Sequence, residues 1–298
     1  MAAELLRSIV LLHPDNIPST YFQGYAQTIL GLDHRPATRS VNAALDCLSD
    51  FSLIHRTFLR RASDVGAAKY SFAIHRLFQA VIQFDMEPSE KRQRLERVIS
   101  AMSYEMPLDL RPHEQFQKTM EIYVPHIQYL QQQWEECNDG PRDLKELSSM
   151  LLPTIIFLVR RALFGESEDL AKRAVANATQ ANGRDHPDTA AALSALFYHY
   201  AMQRDFVTAI PHGKRALDIR KKRSWDDRTR SSLHYLAFAH NALGEKAAAK
   251  SLYEEAAKES DGVAMLQLAR IHYELKNYNA ARALENELRD SNLQCDFY

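Results

Sequence analysis

Apolar and polar residues recur along most of this chain with the period of a helix rather than a strand. The run AELLRSIVLL, beginning at Ala3, is helical and stops at His13-Pro14-Asp15. Pro18 then stands where a second helix would start. A third is expected in PATRSVNAALDCLSDF, where Ala44, Leu45, Leu48 and Phe51 share one side. The period changes next: Ser52–Phe58 and Lys69–Ile74 alternate as strands do, separated by Ala62–Ala68 with Gly66. That predicts a hairpin, followed by a helix over His75–Phe84. Pro88 opens a charged helical stretch, the segment Pro107–Pro112 breaks it, and Phe116–Trp134 is a long helical run interrupted by Pro125. Asn138-Asp139-Gly140-Pro141 is a turn and a candidate hinge. Everything after it reads as helix.

The second half repeats itself. Leu196, Leu236 and Leu268 are each followed thirteen positions later by a small residue, Ala209, Ala249 and Ala281, and seven further by Ala216, Ala256 and Leu288. An aromatic or histidine lies four after the first leucine: Tyr200, His240 and His272. A looser copy upstream aligns Phe157, Gly165 and Leu170, with Leu170 and Asn177 at the places of the alanines, which spaces the copies by 39, 40 and 32 residues (157→196→236→268). The pattern fits pairs of antiparallel helices joined by a tight turn, clearest at Gly244. Small residues fall where two helices nearly touch and large ones fill the gaps elsewhere. No single pair can bury its apolar face, so the pairs are expected to stack.

Composition agrees with helix. Of 298 residues, only 9 are Gly and 11 Pro, few for an all-β or α/β chain. Lys plus Arg is 37 and Asp plus Glu 38, a net charge of −1 that gives no global pull toward nucleic acid or acidic membrane. Cys47, Cys137 and Cys295 are odd in number and far apart, which argues for a reducing compartment and against a disulfide framework. Cys47, flanked by apolar residues, is expected to be a buried thiol. With no convincing signal peptide, and an uncharged stretch between Glu146 and Arg160 too short to span a bilayer, the expected location is cytoplasmic. No G-x-x-x-x-G-K-[ST], H-E-x-x-H, G-x-S-x-G or G-x-G-x-x-G occurs, and no two of the 12 histidines lie at i,i+3 or i,i+4. Hence no metal, no cofactor and no enzyme are expected. A site assembled from scattered residues would need a deep polar pocket with convergent histidines and carboxylates.

The repeated units resemble tetratricopeptide repeats over roughly residues 148–290. The step near 40, with His186-Pro187-Asp188-Thr189 before one copy, resembles the longer kinesin-light-chain variety. The first part, with LLHPDNIP, LDCLSDFSLIHR and SFAIHRLFQAVIQ, resembles the winged-helix segment of fungal STAND-type (NB-ARC-like, NOD-like receptor) proteins, and EIYVPHIQYLQQ resembles the helix that starts their repeat region. The resemblance implies a mainly α chain: a winged-helix domain at 1–86, a helical linker at 87–141 and an α-α superhelix of about four repeats at 142–298. In that family the NTPase domain precedes the winged helix, so the expectation is a chain that begins inside the winged helix and lacks the NTPase. His75 matches a family histidine that touches the nucleotide's phosphate, but Arg76 replaces the acidic residue beside it. Without the NTPase His75 is expected to be a relic that packs locally.

The implied function is non-catalytic protein–protein interaction. In such arrays the first helix of each pair lines the groove. By register that selects Tyr198, Met202, His234, Phe238, Asn241, Arg270 and Tyr273 as candidates for holding a peptide or protein, with Tyr198 and Phe238 equally able to pack between helix pairs. The winged helix would dock on a nucleotide-binding module supplied in trans or lost. The alternative is a nucleic-acid-binding regulator using Arg56, Arg60, Arg61, Lys69 and Arg76 around the hairpin, although the recognition-helix candidate Asn42–Asp50 carries Asp46 and Asp50. The basic run Arg220-Lys221-Lys222-Arg223 is read as a helix C-terminus favoured by the dipole.

Overall fold

The computed structural model describes residues 1–22, 25, 34–58, 70–106, 114–137, 145–222, 227–258 and 261–290. Thirteen helices and three strands lie among them. The chain forms two compact units, Met1–Phe157 and Leu158–Tyr298.

The first unit opens with α1 (Ala2–Ile9), β1 (Ile17–Pro18), α2 (His34–Asp50), β2 (Ile54–Phe58), β3 (Tyr70–Ile74) and α3 (Arg76–Phe84). The expected hairpin and following helix are present. The antiparallel sheet has the order β1-β3-β2, with Ile17 opposite Phe72 and Ile54 opposite Ile74. Pro18 ends a two-residue strand instead of starting a helix, an edge position where a missing N–H is tolerated. On α2, Val41, Ala44, Leu45 and Leu48 are buried while Phe51, just past its end, is exposed. Cys47 is exposed too, contrary to the expected buried thiol, because it projects from the opposite side to that apolar stripe.

The stretch 87–141 does not stand apart as a linker. It carries α4 (Pro88–Ser103) and α5 (Glu114–Glu136), which supply Leu95, Ile99, Met102, Phe116, Met120, Ile127 and Leu130 to the core of the first unit. The Tyr123 hydroxyl hydrogen-bonds Thr20 Oγ1 at 2.8 Å, and His126 Nε2 lies 3.2 Å from the Asn16 carbonyl. Burial holds His126 down to about pKa 4, so its ring is neutral. Pro125 does not interrupt α5; it sits on the exposed side, where water meets a lost backbone bond. The candidate hinge at 138–141 and the break at 107–112 lie outside the described residues. α6 (Lys145–Arg160) follows and crosses the boundary between the units.

The second unit contains α7 (Phe164–Asn182), α8 (Pro187–Met202), α9 (Phe206–Lys221), α10 (Asp227–Ala242), α11 (Lys246–Ala257), α12 (Gly262–Glu274) and α13 (Tyr278–Asp290). Each packs on the next in sequence. Ala209, Ala249 and Ala281 are fully buried, as are Ala216 and Ala256. Gly213 marks the closest approach: a Cβ there would lie 2.7 Å from Phe197 Cδ2 and 2.8 Å from Leu236 Cδ2. The motif His186-Pro187-Asp188-Thr189 is a helix start. His186 Nδ1 accepts from the Asp188 amide, Pro187 takes the first helical position, and Thr189 Oγ1 donates to the Gly183 carbonyl at 2.8 Å.

The turns explain the register. Ala162, Arg204, Gly244 and Lys276 all have φ between 58° and 78°, at φ 59, 62, 78 and 60. At each, the next residue's amide donates back five residues, from Leu163 to Leu158, Asp205 to Tyr200, Glu245 to His240 and Asn277 to His272, at 2.8–3.0 Å. This is one Schellman turn built four times, and only one copy uses the glycine that a left-handed residue favours. Counting from these residues spaces the copies by 42, 40 and 32 (162→204→244→276) and corrects the first. Its small positions are Ser167 and Ala174, both buried, and not Leu170 and Asn177, and its counterpart of Leu196 is Thr154, not Phe157.

Lys and Arg in the left-handed region carry a steric cost of about 1–2 kcal/mol, partly offset by glycine's greater freedom when unfolded. Arg204→Gly and Lys276→Gly should each therefore raise the unfolding free energy by about 0.5–1 kcal/mol, seen as a higher urea midpoint at constant m, while Gly244→Ala lowers it by a similar amount.

Candidate functional site

The first helices of the last three hairpins are α8, α10 and α12. Tyr198, Phe238 and Arg270 occupy the same place on them, six residues before the turn residue. His234 lies ten before, Asn241 and Tyr273 three before, and Met202 two before. Offsets of four, seven and eight put all seven on one helical face. The structure therefore places the predicted residues on one register, but it uses them differently.

Phe238 is 57% exposed, and Met202, Arg270 and Tyr273 are exposed as well. Phe238 keeps an edge contact to Phe206 at 6.0 Å. Arg270 Nε lies 3.6 Å from Glu274, and the Tyr273 hydroxyl donates to Glu285 at 3.2 Å. Tyr198 and Asn241 are half-buried, and the Asn241 Oδ1 atom is buried without a hydrogen-bond partner. Tyr235, not selected from the sequence, is 54% exposed one turn before Phe238. Its counterparts are Ala195 and Gln267, so the repeat alignment carried no sign of it. The one usable signal was its three-residue spacing from Phe238.

His234 is a fastener rather than an open surface residue. Its Nε2 meets Asp261 Oδ2 at 2.7 Å, and Arg230 Nε lies 3.6 Å from the same oxygen. Asp261 Oδ1 meanwhile accepts from the amides of Val263 and Ala264 at 3.0 and 3.1 Å, capping α12. One nearly buried carboxylate thus ties α10 to the start of the next pair. The basic run at the end of α9 is similarly occupied: Lys221 pairs with Glu255, Lys222 Nζ lies 3.5 Å from Asp185, and Arg220 donates to Ser232.

The groups that mimic catalytic chemistry are closed. Ser167 and His199 are fully buried and hydrogen-bonded to each other, and the Gln203 amide donates to His199 Nε2 at 2.7 Å. The Nδ1 proton then points to Ser167, whose hydroxyl donates to the Phe164 carbonyl. Burial pushes the His199 pKa down. Both side chains lie away from solvent. A cleft of about 750 Å³ among α11, α12 and α13 is floored by Met265, Leu268 and Leu284 and rimmed by Glu254, Glu287 and Lys258, with no histidine. Among the described residues no group of three His, Cys, Asp or Glu could hold a metal ion, and no helix is long and apolar enough to cross a membrane.

In the first unit His75 N-caps α3, its Nδ1 accepting from the Leu77 amide at 3.2 Å, with Phe78 edge-on at 5.9 Å. Arg56 is bound to Asp46 at 2.7 Å and lies over the rings of Tyr70 and Phe72 at 5.0 and 5.4 Å, while Arg76 is bound to Asp15 at 3.1 Å. Arg60, Arg61 and Lys69 lie outside the described residues.

Residues 156–222 and 229–258 match tetratricopeptide-repeat family models. Such repeats mark a protein–protein interaction scaffold, and the stacked helix pairs are their architecture. A search of curated proteins returns no match. Among solved structures, a chain described as "MamA MSR-1 C2" is similar at 15% identity and TM-score 0.42, over 70% of this chain and 100% of that one. A Signal Transduction ATPase with Numerous Domains (STAND) protein with a tetratricopeptide repeat sensor from Pyrococcus horikoshii is similar at 12% identity and TM-score 0.34, over 97% of this chain and 50% of that one. Both scores lie below 0.5 and carry no argument about function.

The contrast between fastener and surface is measurable. Asp261→Ala should cost about 2–3 kcal/mol in urea unfolding, through a lost cap and a broken, nearly buried ion pair. Phe238→Ala should cost less than about 1 kcal/mol.

Proposed function

We propose that the repeat array is a non-catalytic scaffold that holds a peptide or protein segment on the face formed by α8, α10 and α12. The observation that carries this reading is the exposed pair Tyr235 and Phe238 at the centre of that face, flanked by Tyr198, Met202, Arg270 and Tyr273. Aromatic side chains supply large contact area at small entropic cost, and Asn241 and Arg270 add polar anchors beside them.

The first unit extends the proposal. Its order of helix, strand, helix and hairpin, with the sheet order β1-β3-β2, supports a winged-helix reading. Joined to repeats, that suits a cytoplasmic STAND-type signalling protein in which this unit docks on a nucleotide-binding module. The local capping by His75 supports a packing role for this side chain. The nucleic-acid alternative draws less support, since Arg56 and Arg76 are already bound to carboxylates.

The test is peptide display on the full chain, followed by anisotropy titration of the selected peptide with a fluorescent label. Tyr235→Ala and Phe238→Ala should each weaken binding tenfold or more, about 1.4 kcal/mol, with unchanged melting, and Arg270→Ala should weaken it less. Unchanged affinity in all three variants contradicts this face as the site.

A further inference from the structure

The short turns around Ala162, Arg204, Gly244 and Lys276 each reverse the chain, so they line one edge of the second unit, and the starts of α8, α10 and α12 line the other. The two edges differ. Apart from Tyr235 and Phe238, every exposed large apolar side chain among the described residues of this unit lies within three positions of one of the four turn residues. Each turn supplies at least one, Leu163, Met202, Leu243 and Leu275, and Val207 and Tyr278 add to them. None lies at the starts of α8, α10 or α12. The charges on the turn edge are unevenly committed. Asp205 accepts from the Thr208 amide at 3.1 Å, Glu245 meets His240, and Glu274 lies 3.0 Å from Lys246 and 3.6 Å from Arg270. The exposed side chains of Arg204 and Lys276 make no hydrogen bond or ion pair among the described residues. Both stand at left-handed φ, where glycine would cost less. A cation held at such a position points to a use for its charge.

We propose that the segment held by the array is acidic and amphipathic, and that it crosses this turn edge, with apolar side chains on Met202, Leu243 and Leu275 and carboxylates at Arg204 and Lys276. The inference rests on the scaffold reading and deepens it by naming the partner's chemistry and the edge it covers. α8 and α10 touch through Phe197 and Tyr235, whose rings lie 6.4 Å apart. Packed helices lie about 8–10 Å apart, so the path from α8 over α10 to α12 is about 20 Å, which an extended segment crosses in about six residues. A segment of that length reaches both uncommitted cations at once. Exposed ion pairs are individually weak. The apolar contacts therefore supply most of the affinity, and the two cations select an acidic partner and make its binding sensitive to salt.

The test titrates the full chain into two labelled synthetic peptides of about twelve residues, long enough to cross the edge. They share the same Leu and Phe positions and carry either Glu or Lys at all the others. The Glu peptide should bind about tenfold tighter or more, with affinity that falls as salt rises from about 0.05 to about 0.5 M. Arg204→Gly and Lys276→Gly should each weaken it about threefold or more, although both raise the urea midpoint. A merely structural role for these residues would not separate binding from stability in that way. Leu243→Ser should weaken it as well, with unchanged melting. Equal affinity for the two peptides, binding of neither, or Glu-peptide binding indifferent to both glycine variants overturns the proposal. The scaffold reading is judged separately, by the display-selected peptide and its response to Tyr235→Ala and Phe238→Ala. If that response is found while the Glu peptide fails, the partner's chemistry is wrong and the scaffold stands.

Discussion

The second unit depends on how closely two helices can approach. Helices joined by a three-residue turn must pack tightly from their first turns on, and only side chains the size of Ala, Ser or Gly fit there. Ala209, Ala249 and Ala281 occupy that place in three pairs and Ser167 in the first, all without solvent exposure. Gly213 takes the constraint further, since no Cβ can be accommodated between Phe197 and Leu236. With these contacts made, larger residues such as Leu233, Leu236, Tyr253 and Leu268 join the last three pairs into one core cluster.

That packing leaves Met202, Phe238, Arg270 and Tyr273 exposed on one side of α8, α10 and α12. The same arrangement explains why histidine and carboxylate chemistry in this unit is structural. His234, Arg230 and Asp261 couple neighbouring pairs, His240 is tied to Glu245 in its own turn, and His199 closes onto Ser167. Such polar groups are buried because pairs stack, and each of these three histidines meets a partner there.

Much of this was legible in the sequence, and the exceptions have physical causes. The thirteen-residue spacing between leucine and alanine exposed the last three pairs because close contact tolerates so few residue types. The first pair was misaligned by three residues because it uses Ser167 and Thr154, which carry no apolar signal. Three of the four turns hold Ala, Arg or Lys in the left-handed region, where only glycine would have announced them. Helices α4 and α5 read as a linker because α4 is densely charged, yet one face of it is fully buried. On α8, α10 and α12 the register alone put the seven candidate residues on one helical face. The contact of His234 with Asp261, twenty-seven residues away, is invisible to periodicity, and the exposure of Tyr235 was not legible because its equivalents are not aromatic.

The most direct measurement of the packing argument is urea unfolding of Ala249→Leu beside Ala247→Leu, two neighbours on α11 that differ in burial alone. The account predicts a loss of about 2–3 kcal/mol for the first, from overpacking where two helices meet, and a change within about 0.5 kcal/mol for the second. Equal effects for the two would contradict it.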